Sequence, residues 1–230
     1  MIVTAISDLH GQIDTLENII PESDILCICG DIIPLNIQNN IEESDKWFSK
    51  VFIPKLQSLK VNEIYIIAGN HDKFMENRKR IIEDMLIGTN ITYLEDEAAE
   101  YLDEETGKVW KIWGTPWCHI FGNWSFMREP EFLKEKYSLI PDDIDILLTH
   151  DAPFGRNDVL LEGFWRNGKH IGNYELVDEL DIKHPKYHFT GHLHSTDHNL
   201  VDYEGTMTAC VSLLDEDYEI NYDPLTIIIK

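Results

Sequence analysis

Up to about residue 90 the chain alternates short apolar runs with segments whose apolar residues recur every three or four positions. Ile2 to Ile6 predicts a first strand, and Ile13, Leu16, Ile19 and Ile20 then mark a helix that Pro21 closes. Ile25 to Cys29 predicts a second buried strand. After it, Trp47, Phe48, Val51, Phe52, Leu56 and Leu59 form the inward stripe of a long helix, which Pro54 is expected to kink or divide. Glu63 to Ala68 predicts a third strand, and Ile81, Ile82, Met85 and Leu86 a further helix. This βαβαβα order calls for parallel strands joined by helical crossovers.

From Ile91 the apolar runs shorten. Ile91 to Leu94, Ala98 to Leu102 and Val109 to Trp113 predict antiparallel neighbours, the last two joined by a turn through Glu105-Thr106-Gly107. Helices are expected over Glu129 to Tyr137 and Tyr174 to Leu180, and strands over Ile144 to Thr149, Tyr187 to Thr190, His198 to Tyr203, Met207 to Leu213 and Leu225 to Ile229, with a turn at Glu204-Gly205. Neither a repeat nor a linker interrupts the pattern, so residues 1–230 read as one α/β domain.

Charge narrows the function more than size does. Lys and Arg total 19 against 42 Asp and Glu, a formal charge of −23, which argues against extended binding to nucleic acid or to an anionic membrane. A phosphate-bearing ligand would need a local positive centre, and bound divalent cations are often the largest local charges in a site. The opening run Met1 to Asp8 lacks a basic region and is too short for a signal peptide or a membrane span, so a cytoplasmic protein is expected. Cys27, Cys29, Cys118 and Cys210 match neither a zinc-ribbon nor a CxxC spacing and read as buried free thiols.

Five polar clusters each follow a strand-like run: Asp8/His10, Asp31, Asn70/His71, His150 and His192/His194. In extended backbone, residues two apart project to one side, so Asp8 with His10, and His192 with His194, can each aim two donors at a common centre. The third cluster sits in Gly69-Asn70-His71-Asp72, where Asn70 can face a metal while His71 faces substrate and Asp72 orients the imidazole. Oxygen and imidazole donors without thiolate suit Mn²⁺, Fe or Zn²⁺, with Mg²⁺ also admissible. Seven such side chains exceed the needs of one ion, and two ions about 3.5–4 Å apart can share a carboxylate and a hydroxide. Two divalent ions bring about +4, of which Asp8, Asp31 and the hydroxide remove about 3, leaving a slightly positive centre that attracts a phosphate ester.

Asp8-Leu9-His10, Gly30-Asp31, Gly69-Asn70-His71-Asp72, Thr149-His150 and Gly191-His192-Leu193-His194 together resemble, in order, the signature of the calcineurin-like metallophosphoesterases. The resemblance implies a four-layer sandwich of two mixed β-sheets flanked by α-helices. It implies one ion held by Asp8, His10 and His194, another by Asn70, His150 and His192, Asp31 bridging them, and His71 contacting substrate. Gly114-Thr115-Pro116-Trp117 with Trp124, His150 to Gly155, and Asn173-Tyr174-Glu175-Leu176 are similar to the small single-domain branch that includes brain-expressed animal members and some cyclic nucleotide phosphodiesterases. Those animal members can depart from the Gly-His-x-His pattern, whereas this chain keeps both histidines.

The expected activity is hydrolysis of a small phosphate ester, a diester in preference and a nucleotide among the candidates, by a hydroxide held between two ions. Alternatives on the same site are a phosphomonoesterase, a protein phosphatase, or a non-catalytic scaffold of the same fold. His119, His170, His184, His188 and His198 fall outside the motifs and read as surface or core histidines. Trp117, Trp124, Phe154 and Trp165 lie near motif loops and read as packing residues that could also stack on a planar group. Arg156 reads equally as a phosphate contact or a solvated arginine, and Asp215-Glu216-Asp217 as a solvated turn.

Overall fold

The computed structural model describes residues 1–161 and 168–229, so Trp165 lies outside the described residues. β1 (Ile2–Ile6), β2 (Ser23–Cys29), β3 (Val61–Ile67) and β4 (Ile91–Tyr93) lie side by side and parallel, and β13 (Leu225–Ile228) adds an antiparallel edge beside β1. The second sheet has the order β11 (Val201–Tyr203), β12 (Thr206–Cys210), β10 (Tyr187–Thr190), β9 (Ile146–Thr149), β6 (Lys108–Thr115) and β5 (Glu97–Asp103). Its middle strands are parallel and its two edges antiparallel, the mixed architecture expected from the early crossovers and later hairpins.

Alternation along the strands decides how the sheets pack. Val3, Ala5, Ile25, Cys27, Tyr65 and Ile67 turn one face of the first sheet toward Trp110, Ile112, Ile146, Leu148, Phe189 and Ala209 of the second. Leu26, Ile28, Ile64 and Ile66 turn the other face into a cluster with Phe48, Phe52, Leu56 and Ile82 from the helical segments. Those segments are α1 (Leu16–Ile19), α2 (Ile41–Trp47), α3 (Ile53–Gln57) and α4 (Lys79–Leu86), while α5 (Pro130–Tyr137) packs on α6 (Tyr174–Lys183). A short parallel pair, β7 (Cys118–His119) with β8 (Met127–Arg128), completes the described elements. No helix among the described residues is long and apolar enough to cross a membrane.

Two expectations need correction and one is refined. The first helix is a single turn. The long helix is divided ahead of Pro54, as expected, but through one π-helical stretch over Phe48–Phe52 between α2 and α3, with Pro54 in the first turn of α3. A proline cannot donate to the carbonyl four residues back and its ring clashes there, and a wider turn ahead of it relieves both conflicts. Finally, β4 is not an antiparallel neighbour of β5 but extends the first sheet in parallel, because Ile64 and Ile66 continue their apolar face onto Ile91 and Tyr93.

Candidate metal centre

The polar clusters come together because all five loops leave the carboxyl ends of strands and their backbones bond to one another. The Asp8 N–H donates to the Gly30 carbonyl (3.0 Å), the His10 N–H to that of Asp31 (2.9 Å) and the Gly11 N–H to that of Ile32 (3.0 Å), so the loops after β1 and β2 run side by side. Leu213 donates to Ser7 across the sheets (3.1 Å), and Gly191 to His150 (3.2 Å). Side chains finish the lacing: the His192 N–H donates to both Asp8 carboxylate oxygens (2.9 and 3.1 Å), and the His71 N–H to Asp31 Oδ1 (2.8 Å).

Asp8, His10 and His194 place one donor atom each within 4.8 Å of one another, and so do Asp8, Asp31 and His150. Asn70 Oδ1 lies 3.0 Å from His150 Nε2, and the His192 ring lies 5.2 Å from that of His150. All seven expected ligand residues therefore line one centre. The extended pairing proposed for Asp8 with His10 is not how it is done. The backbone is left-handed at Asp8 (φ 56°), His10 (φ 42°), Asp31 (φ 53°) and His192 (φ 71°), and these local reversals aim the side chains inward.

The residues fit a pair of divalent ions on three grounds. Both ring nitrogens of buried His10 have no hydrogen-bond partner, although buried polar groups are almost always paired. His150 and His194 are oriented through Nδ1 by the carbonyls of Cys29 (2.7 Å) and Asp215 (2.8 Å), leaving Nε2 directed at Asp31 (3.4 Å) and Asp8 (3.5 Å), the second-layer arrangement common to metal-binding histidines. Glycine also clears the space: a Cβ on Gly69 would sit 2.2 Å from Asp31 Oδ1, and one on Gly191 2.8 Å from Asp8 Oδ2. The four cysteines are buried free thiols, pushed up by burial, with Cys210 at about 12, and take no part.

Charge in the protein alone is balanced by protons. Burial alone would raise Asp8, but the His194 hydrogen bond and charge hold it down at about 2, and burial alone would lower His194, which Asp8 lifts to about 9. Burial likewise opposes ionisation of Asp31 and His150, yet their mutual attraction drives Asp31 well down and His150 up to about 10. Burial wins at His10 and His192, each lowered to about 4, which keeps their rings neutral and able to coordinate. A bound cation can take over the balancing now done by protons on His150 and His194.

His71 belongs to neither donor group, and its hydrogen-bond partner is not Asp72. His71 Nδ1 meets Gln38 Oε1 at 2.5 Å, with Nε2 3.9 Å from Asp31 Oδ2. The Asp72 carboxylate faces the other way and accepts backbone N–H groups from Ile32 (3.0 Å), Ile33 (2.9 Å) and Gly69 (2.9 Å). Burial and the Asp31 charge push its carboxyl up to about 7 against those bonds. Asp72 is thus a staple between two site loops. It does not orient the imidazole, because the loop that turns at Gly69 carries its side chain underneath.

A cleft of about 440 Å³ opens over this centre. Trp124, 41% exposed, lies against His71 (4.4 Å between rings), Phe121 against His192 (4.8 Å), and Tyr218 against His10 and His194 (5.0 and 5.2 Å). Trp124 therefore lines the cleft and is not a core residue, whereas buried Trp117 donates to Asp96 and Phe154 stacks on Tyr174 away from the cleft. Arg156 pairs with Asp181 beside the Tyr203 ring, outside the cleft lining. His119 and His170 are held by Asp151 and Asp158, His188 is bonded to Thr149, His184 ends α6, and His198 stacks on Tyr222. Sequence reasoning missed Gln38, Phe121 and Tyr218. None occupies a patterned position, and only the fold brings them here.

Gly69→Ala should destabilise the protein by about 1–3 kcal/mol through overpacking and also weaken metal uptake, because the displaced atom belongs to Asp31. Thermal unfolding with and without added metal separates the two effects. A melting temperature like that of the parent in both conditions would refute the crowding.

A family model described as calcineurin-like phosphoesterase matches residues 1–196. Human metallophosphoesterase domain-containing protein 1 is 28% identical over 208 residues, covering 82% of this chain and 59% of the human protein. The chain thus spans about three fifths of that relative's length. A UPF0046 protein of Caenorhabditis elegans is 30% identical over 232 residues, 96% of this chain and 78% of that relative. Among solved structures, phosphopantetheinyl hydrolase from Mycobacterium tuberculosis superposes with a TM-score of 0.61 at 15% identity, covering 99% of this chain and 96% of that one. At that identity the likeness speaks for the fold.

Proposed function

From membership of the calcineurin-like phosphoesterase family, to which the chain belongs, we propose that the protein is a two-metal phosphoesterase that prefers phosphodiesters. The observation that carries this reading is the position of Asp31, whose carboxylate lies 3.4 Å from His150, 3.7 Å from His10 and 3.9 Å from His71, facing both halves of the donor set and the substrate side at once. Asp8, His10 and His194 would hold one ion, Asn70, His150 and His192 the other, and Asp31 both. When bound, the ions supply Lewis acidity that yields a hydroxide nucleophile near neutral pH and neutralises charge on the phosphoryl oxygens.

The remaining work falls to side chains that touch no ion. Gln38 Oε1 accepts a hydrogen bond from His71 Nδ1–H, which fixes the orientation of the ring and leaves Nε2 on the substrate side. In its protonated form, with an N–H on both ring nitrogens, His71 can stabilise a phosphoryl oxygen or donate the Nε2 proton to the departing oxygen. Phe121, Trp124 and Tyr218 wall the cleft and exclude water around the ester arm. No lysine or arginine appears among the described residues lining the cleft, which favours a singly charged diester over a doubly charged monoester.

The test is to strip the protein with a chelator, reload it separately with Mn²⁺, Fe²⁺, Zn²⁺ and Mg²⁺, and assay parallel diesters and monoesters. Activity should vanish on stripping and return with two metal equivalents, faster on diesters. Undiminished turnover after exhaustive stripping would falsify the two-metal reading, and a monoester preference would remove the diester part alone.

A further inference from the structure

The acidic run Asp215-Glu216-Asp217 is not simply a solvated turn. The Asp215 carbonyl accepts from His194 Nδ1 (2.8 Å), and Asp215 Oδ1 accepts the backbone N–H groups of Asp217 (3.0 Å) and Glu219 (3.0 Å). Tyr218 N–H donates back to the Asp215 carbonyl (3.0 Å), Leu214 bridges Ile220, and Gln12 Nε2 donates to the Tyr218 carbonyl. The turn is therefore closed on itself and tied to a candidate ligand, and from this rigid base Glu216 and Tyr218 both line the cleft.

What they face is informative. Phe121 and Trp124 contribute two further ring faces to the same cleft, 38% and 41% exposed. Besides Asp31, whose charge is directed at the centre, Glu216 is the acidic residue among the described residues lining it. Lys73 lines only a smaller adjoining recess of about 180 Å³, which shares His71 and Trp124 with the cleft. An ester arm leaving the centre thus meets flat apolar faces and a negative charge, with no cation among the described lining residues to offset it.

Resting on the phosphoesterase reading, we propose that Glu216 rejects a second negative charge, so that the cleft takes a singly charged diester whose organic arm is flat and carries no anionic group. Ring faces stabilise the flat arm by burial and stacking. An anionic arm brought beside Glu216 meets repulsion on the order of three- to tenfold in affinity at low ionic strength, and less as salt screens it.

The experiment uses the metal-loaded full chain and methyl esters of arylphosphonates, which keep one charge at phosphorus and resist hydrolysis. Calorimetry compares a para-carboxamide ring, its para-carboxylate isostere, and a methyl group in place of the ring. The parent should bind the carboxamide about three- to tenfold more tightly than the carboxylate, and the methyl compound more weakly than the carboxamide. Glu216 is exposed on its turn, so Glu216→Gln and Glu216→Lys should fold; the first should bring the carboxylate penalty close to one and the second invert it. A penalty unchanged in both variants overturns the charge filter, and equal binding of methyl and aryl compounds overturns the flat arm. Should no diester be bound or hydrolysed with any metal, the phosphoesterase reading itself fails and the filter with it.

Discussion

Asp31→Asn is expected to lose both ions and to lower kcat/KM by more than about 10³, a larger loss than follows from any ligand that serves one ion. The carboxylate faces His10, His71 and His150 together, so its charge is shared across the centre. An amide is nearly the same size, and its oxygen can still accept the His71 N–H that Asp31 Oδ1 now accepts at 2.8 Å, so the loop should hold its shape while the charge disappears. His194→Ala, in contrast, should release one ion. Metal analysis beside kcat/KM on a diester distinguishes these cases. If Asp31→Asn lost a single equivalent, Asp31 would belong to one ion only; if it kept two and turned over normally, the site would lie elsewhere.

His71→Ala should separate metal content from rate. The imidazole is anchored by Gln38 and Trp124, not by an ion, so two equivalents should remain bound while turnover falls by roughly 10²–10³, the usual effect of one lost stabilising donor. Leaving group chemistry then identifies the role. An alkyl ester, whose alkoxide needs a proton, should suffer far more than a p-nitrophenyl ester if His71 supplies that proton, and both should suffer alike if it acts by charge alone. Gln38→Leu should reproduce part of the defect, about tenfold, by freeing the ring to turn. Loss of an ion in His71→Ala, or parent rates on both ester types, would remove His71 from the reaction.

The candidate ligands were legible in the sequence for a physical reason. Each follows a strand whose apolar run is visible in one dimension, and loops at carboxyl strand ends point to the same edge of a sheet. Their local geometry was not legible: a spacing of two suggests extended backbone at Asp8 and His10, where the chain in fact reverses. Residues that depend on distant packing were also hidden. Gln38 comes from a loop with no periodicity, held by its own N–H on the Pro34 carbonyl (3.1 Å), and Glu216 reads as any exposed acid until the turn is seen bonded to His194. Asp72 misled for a related reason: adjacency in sequence suggested a partner for His71, yet neighbouring side chains in a tight turn diverge. The sheet assignment of β4 and the pairing of β7 with β8 likewise rest on contacts between remote segments.

The four left-handed residues at the centre place function and folding in opposition. A non-glycine residue in that conformation gives up at most about 1–2 kcal/mol, and aspartate and histidine less than most, so the four together cost an appreciable share of the roughly 5–15 kcal/mol that separates a folded domain from its unfolded chain. Random drift toward a sturdier molecule would therefore lead away from Asp8, His10, Asp31 and His192, with glycine the easiest replacement. Laboratory evolution of this chain for heat resistance alone, with no demand for turnover, should find the centre before it finds the core.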